Sequence, residues 1–303
     1  MQRPVEFNSK GSKVRGILET PKKGKGPFPI VVMAGGWCYV KEIVMPHYAK
    51  KIVDAGLAVL RFDYRCFGES EGEPRQHVDP WAQIEDYKNA ISFVMTQSEV
   101  DPNRVGIWGI SYSGGHVLIV GATDPRVRCI VSNIPVVDGF ANMRRVHGER
   151  RFDQLMKAIM DDRVQRSAGK AGGYMAMSAP DPDNTLCTWP FAHVHEIFMN
   201  IKEKEAPRHE HRNTIESTEI LLNYTVFPYV PRILNTPTLM VVAENDNITL
   251  WDLEIAAYNG VAAGNKKLVV LPDVTHMSLY SKLSHLETAS TEGAAFLKTH
   301  LLA

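Results

Sequence analysis

The chain has 303 residues, of which 44% are hydrophobic and 22% charged, an ordinary globular composition. Lysine and arginine together number 34 and aspartate and glutamate also 34, so the formal net charge is zero, which excludes the basic footprint of a nucleic-acid binder and a polybasic membrane patch. The start, Met1 to Glu6, has no apolar signal core, no apolar run approaches the roughly 20 residues of a membrane span, and Cys38, Cys66, Cys129 and Cys187 are widely spaced without a CxxC pair; a soluble, cytoplasmic protein with reduced thiols is expected.

In chain order, Val5–Phe7 and Val14–Leu18 flank the turn formers Ser9–Ser12 and predict a hairpin. Ile30–Met33 is a short, wholly apolar run, as in a strand buried on both faces, and Gly35-Gly36 ends it. A helix is expected from about His47 to Ala55, then a strand at Ala58–Phe62. Trp81, Ile84, Tyr87, Ile91 and Val94 recur at helical spacing. Asp101-Pro102-Asn103 reads as a turn before a strand at Val105–Trp108, and Cys129–Ser132 reads as another strand.

Strands alternating with helices predict a mostly parallel central sheet flanked by helices. From about Ala141 to Arg232 the alternation stops, and helical stretches and aromatics replace buried-strand runs. It resumes at Thr238–Val242, with a helix at about Leu250–Ala262, a strand at Lys267–Leu271 and a last helix near Leu301. The expected division is therefore a core of residues 1–140 and 233–303, interrupted by a helical cap of residues 141–232.

Between an apolar strand and an apolar helix lies Gly109-Ile110-Ser111-Tyr112-Ser113-Gly114-Gly115. A serine at such a bend is pushed out above the sheet, and the following helix turns its first N–H groups toward it. A phosphate-binding loop would need Gly-Lys-Ser/Thr, which is absent. The segment resembles the nucleophile elbow of α/β-hydrolases, Gly-x-Ser-x-Gly, with Ser113 in place of the second glycine. In this form it is similar to the X-Pro dipeptidyl-peptidase and cocaine-esterase group; dienelactone-hydrolase-like enzymes and fungal polyketide acyltransferases are further similar groups.

The resemblance implies an α/β-hydrolase fold with Ser111 as nucleophile. It further implies that Trp37, in Met33-Ala34-Gly35-Gly36-Trp37, and Tyr112 offer backbone N–H groups to an oxyanion. Gly35 stands where the family often has His. Phe62 to Gly72 is also similar to the family, with Cys66 where Gly is usual, and a structural role is expected of it.

Serine needs a base. His276, after the last core strand, fits the family's histidine loop, and Asp246, after the preceding strand, gives the order Ser, Asp, His of the fold. Asp138 is the rival acid and Glu244 a more distant one. His193/His195 and His209/His211 are His-x-His pairs without a third metal-ligand pattern, so cap packing or solvation is expected and no metal. Arg144, Arg145, Arg150 and Arg151 read as a solvated helix face. Trp189, Phe191, Phe198 and the Tyr224–Tyr229 stretch offer either an apolar substrate pocket or cap packing.

The expected activity is hydrolysis of a carboxylic ester, or a related acyl bond, of an apolar small molecule, without cofactor. Thioester cleavage, acyl transfer or carbon–carbon bond hydrolysis would use the same residues, and a non-catalytic small-molecule receptor is the alternative of another class.

Overall fold

The computed structural model describes residues 1–302. The hairpin is β1 (Gln2–Ser9) and β2 (Ser12–Glu19), antiparallel through their length. Then follow β3 (Phe28–Ala34), α1 (Met45–Asp54), β4 (Ala58–Phe62), α2 (Pro80–Val94), β5 (Val100–Ile110), α3 (Tyr112–Thr123) and β6 (Val127–Asn133). An insertion carries α4 (Gly139–Ser167), β7 (Tyr174–Ala176), α5 (Ala192–Lys204), β8 (Arg212–Thr214) and α6 (Ile215–Leu221). The core closes with β9 (Thr238–Ala243), α7 (Trp251–Gly260), β10 (Lys266–Leu271), α8 (Ser278–Ser281) and α9 (Leu283–Leu301).

One eight-stranded sheet runs β1-β2-β4-β3-β5-β6-β9-β10. The pairings β1–β2 and β2–β4 are antiparallel and all the others parallel. Its central strands are buried on both faces, which is why they read as continuous apolar runs; β1 faces water on one side and alternates. Helices α1 and α9 pack together, as do α2 and α3. The start of α2 is fixed by Asp79, whose carboxylate accepts from the N–H groups of Trp81 (2.9 Å) and Ala82 (3.2 Å), with Pro80 in the first turn.

Two local expectations change. Asp101-Pro102-Asn103 is not a turn ahead of the strand but lies within β5: Phe28 pairs with Val100 while Ile30 pairs with Val105, so the extra residues bulge out of register there. The insertion is mostly helical but also holds the short antiparallel pair β7–β8. These three-residue strands are too short to leave a periodic signal. Its long helix α4 breaks at Gly148, whose φ of 63° no helix tolerates. No helix among the described residues is long and apolar enough to cross a membrane. All four cysteines are free and buried.

Parallel strands place their carboxyl ends at one sheet edge, and the loops leaving them converge there. Strands β3 and β5 are neighbours, as are β9 and β10. The loop after β3 therefore meets the bend after β5, and the loop after β9 meets the one after β10.

Candidate active site

Ser111 joins β5 to α3 with φ 57° and ψ −118°, a region that L residues avoid and that costs about 1–3 kcal/mol. Three backbone bonds hold it there. Its N–H donates to Asn133 O (2.9 Å), and its carbonyl accepts from Val136 (3.0 Å) and Gly115 (3.4 Å). A β-carbon on Gly109 would stand 2.1 Å from Ser113 O, so that side of the bend admits only glycine.

The histidine and acid loops are stitched to each other. Glu244 N donates to Leu271 O (3.1 Å) and Asn245 N to Val274 O (2.9 Å), while the Glu244 carboxylate accepts from Asp273 N (3.1 Å). Glu244 thereby spends its charge on the loop pair, not on an imidazole. Asp246 does meet the imidazole: its Oδ2 lies 2.7 Å from His276 Nδ1. The other oxygen, Oδ1, accepts from the N–H groups of Ile248 (2.8 Å) and Thr249 (2.9 Å). Burial pushes the Asp246 carboxyl up, but the His276 charge and these hydrogen bonds outweigh it and hold it below its ordinary value. Asp138 sits elsewhere, capping α4 by accepting from Ala141 N (2.9 Å).

Ser111 and His276 line one cavity with Trp37, Tyr39, Met177, Trp189, Val194, Phe198, Ile248 and Met277. Its volume is about 20 Å³, room for roughly one water. Ser111 is 6% and His276 3% exposed, so both reacting side chains are withdrawn from bulk solvent. Apart from Ser111 and His276, every lining side chain is aromatic, aliphatic or a thioether. A larger cleft, about 960 Å³, lies between Gln2, Thr20, Lys22, Pro46 and Asp54, and its lining has no serine, cysteine or histidine.

The N–H groups of Trp37 and Tyr112 have no hydrogen-bond partner among the described residues. Gly36 stands against the serine: a β-carbon there would come within 2.9 Å of Ser111 Cβ and 3.2 Å of its Oγ. The insertion braces this loop. Trp37 Nε1 donates to Asn213 Oδ1 (3.0 Å), Cys38 Sγ donates to Arg212 O (3.4 Å) and His209 Nδ1 lies 3.1 Å from Cys38 O.

His209 and His211 belong to that brace: His209 Nε2 lies 3.0 Å from His211 Nδ1, and His211 Nε2 lies 2.6 Å from Ser178 Oγ. No group of three metal-ligating side chains is assembled among the described residues. Arg144, Arg145 and Arg151 pair with Glu149, Asp252 and Asp183. Trp189 and Phe198 reach the chamber, whereas Tyr224 packs on Tyr112 and His116.

Four polar residues near the site escaped the sequence reading, as did the apolar lining residues Met177, Val194, Ile248 and Met277. Tyr39 lines the chamber, Tyr280 stacks on His276 with ring centroids 5.6 Å apart, and Thr249 and Glu254 stand behind Asp246. Only the position of Tyr280, one helical turn after His276, left any signal.

Known proteins resemble the chain throughout this framework. It is 35% identical over 189 residues to the quorum-quenching protein AidA of Acinetobacter baumannii (strain MDR-ZJ06), covering 62% of each chain. It is 40% identical over 179 residues to the thiohydrolase aneE of Aspergillus aculeatus, covering 59% of this chain and 52% of that one. In both cases the match spans less than two thirds of the relative's own length. Among solved structures, the α/β hydrolase GrgF from Penicillium sp. sh18 superposes with a TM-score of 0.83 at 23% identity, over all of both chains. The model of the X-Pro dipeptidyl-peptidase (S15) family matches residues 11–277, from the first hairpin to just past His276, and the chain belongs to that family.

Proposed function

We propose that this protein is a serine acyl hydrolase that cleaves a carboxylic ester, or the related thioester, of an apolar small molecule. The observation that carries the reading is the shared chamber: Ser111, on its strained bend, lines it together with His276, whose Nδ1 is bonded to buried Asp246. With Nδ1–H given to Asp246, Nε2 is left as the base for the Ser111 hydroxyl. Ser111 Oγ attacks the carbonyl carbon and its proton passes to His276 Nε2. The N–H groups of Trp37 and Tyr112 receive the oxyanion, a donor of this kind contributing about 3 kcal/mol. His276 then protonates the leaving group, and a water, activated by the same nitrogen, releases the acid.

The chamber walls favour an ester or thioester over a dipeptide. A free α-amine would need a carboxylate to meet it, and the lining contains none. A second reading, acyl transfer to a bound alcohol or thiol, is favoured by the apolar lining and by the burial of Ser111 and His276, which disfavour water as the acceptor.

Labelling with a fluorophosphonate probe, followed by hydrolysis of p-nitrophenyl esters, tests the proposal. The wild type is expected to label and turn over, and S111A to do neither. Undiminished labelling of S111A would remove Ser111 from the mechanism. Rapid labelling without turnover, restored by an added alcohol or thiol, would select the second reading.

A further inference from the structure

Behind the Asp246–His276 pair lies a second acid that the reaction as described does not use. Glu254, on α7, is fully buried. Its Oε1 lies 2.7 Å from Thr249 Oγ1, and the same hydroxyl lies 2.8 Å from Asp246 Oδ2. One hydroxyl thus stands between two carboxyl groups, yet it has one hydrogen to give. If both acids were ionised, one would face a lone pair, and two negative charges would sit a single hydroxyl apart in a buried site. The geometry closes if one acid is neutral.

The partners decide which. Asp246 accepts from two backbone N–H groups and faces His276, the surroundings of a carboxylate. Glu254 has no such donors, and its Oε2 is buried with no partner, a state a carbonyl oxygen bears at far less cost than an ionised one. Burial first, and then the charge of Asp246, push the Glu254 carboxyl well above its ordinary range.

We infer that Glu254 is a protonated positioning residue: its O–H donates to Thr249 Oγ1, which directs the Thr249 hydroxyl hydrogen onto Asp246 Oδ2. Asp246 is thereby held as an ionised acceptor with one oxygen turned to His276. The second lone pair of Thr249 Oγ1 faces His276 Nδ1 at 3.1 Å, so the hydroxyl also limits rotation of the imidazole. The relay moves no proton in the reaction; it fixes where the protons are. This inference rests on Ser111, His276 and Asp246 acting as one reacting unit.

Two measurements test it. Difference infrared spectroscopy of wild type against E254Q at neutral pH is expected to show the carbonyl stretch of a protonated carboxyl, lost in E254Q and shifted in T249V. This arm is independent of turnover. Fluorophosphonate labelling rates give the second. E254L and T249V are each expected to slow labelling about tenfold, with the double variant no slower than either, as members of one unit behave. E254Q, whose amide N–H replaces the acid proton, is expected to regain most of the rate lost in E254L, and T249S most of that lost in T249V. Absence of the protonated-carboxyl band overturns the inference, as does E254Q labelling as slowly as E254L. Should E254L fail to fold, E254Q, T249V and T249S carry the same decision. A wild type that does not label at Ser111 would instead reject the hydrolase reading, whatever the infrared band shows.

Discussion

The side chain of Tyr39 fills the space that a side chain on Gly35 would need: a β-carbon there would lie 2.5 Å from Tyr39 Cδ2, in the ring, and 2.7 Å from its Cβ. Gly35 stands where the similar hydrolases often carry histidine. The exchange is therefore steric, with an aromatic ring packed against bare backbone in the loop that presents the Trp37 N–H. G35A is expected to destabilise the fold by about 1–3 kcal/mol, the usual cost of overpacking. In a Y39G background, which removes both the ring and the β-carbon, the same change should cost at least about 1 kcal/mol less. Urea denaturation of the four proteins measures this coupling, and additive effects would show that the side chain of Tyr39 is not what excludes one on Gly35.

The two candidate acids separate cleanly by what they bond. D246N should lower kcat by about 10⁴, because an amide facing His276 favours the wrong tautomer. D138N should leave the rate within a few-fold and cost about 1 kcal/mol or less of stability, since Asp138 serves as a helix cap. Ester hydrolysis by the two variants, side by side, decides it.

Ser113, the other departure from the elbow pattern, has a structural task. Its hydroxyl donates to Gly35 O and lies 2.6 Å from the Tyr64 phenol. It thus links α3, the loop after β3 and the loop after β4. S113G restores the family's usual residue but removes the link; a loss of about 1–2 kcal/mol is expected, read in thermal unfolding. A neutral or stabilising outcome would deny the link any weight.

Buried and half-buried imidazoles make the protein sensitive to acid, His116 and His209 being buried and His211 half-buried. His116 lies between Tyr224 OH (3.0 Å) and Gln83 Oε1 (2.9 Å), and burial pushes it down to about 3 from an ordinary 6.5. Burial likewise takes His209 down to about 4 and His211 to about 3. Between about 6.5 and those values the unfolded chain binds protons that the folded chain refuses. Stability therefore falls as the pH is lowered through that window. Asp63, Asp86 and Glu254, all raised, act in the opposite sense, so the test is a difference. Going from pH 7.5 to 5, wild type should lose about 2 kcal/mol more than H116Q. Equal losses in urea titrations would mean that His116 is protonated in the fold.

Much of this was legible in the sequence, for identifiable reasons. Ile30–Met33 and Thr238–Val242 are buried on both faces and so leave unbroken apolar runs. Ser111, Asp246 and His276 each follow a core strand, and sheet order brings those strand ends together. What stayed hidden depends on contacts between distant segments. Thr249 and Glu254 are ordinary residues of a loop and a helix until α7 folds behind Asp246. Tyr39 has meaning only against Gly35. The strands β7 and β8 pair residues far apart in sequence and are too brief to show a period. Residues 141–232 read as helical from local pattern alone, which gave no sign of the bonds they send to the loop after β3.

Those bonds limit what can be exchanged. Asn213, Arg212 and His209 hold Trp37 and Cys38 directly. The insertion is thus no detachable module. A chimera that borrows a relative's insertion to change substrate range would also release the Trp37 amide proposed to receive the oxyanion, so selectivity and rate are expected to shift together unless residues 35–41 are transplanted with it.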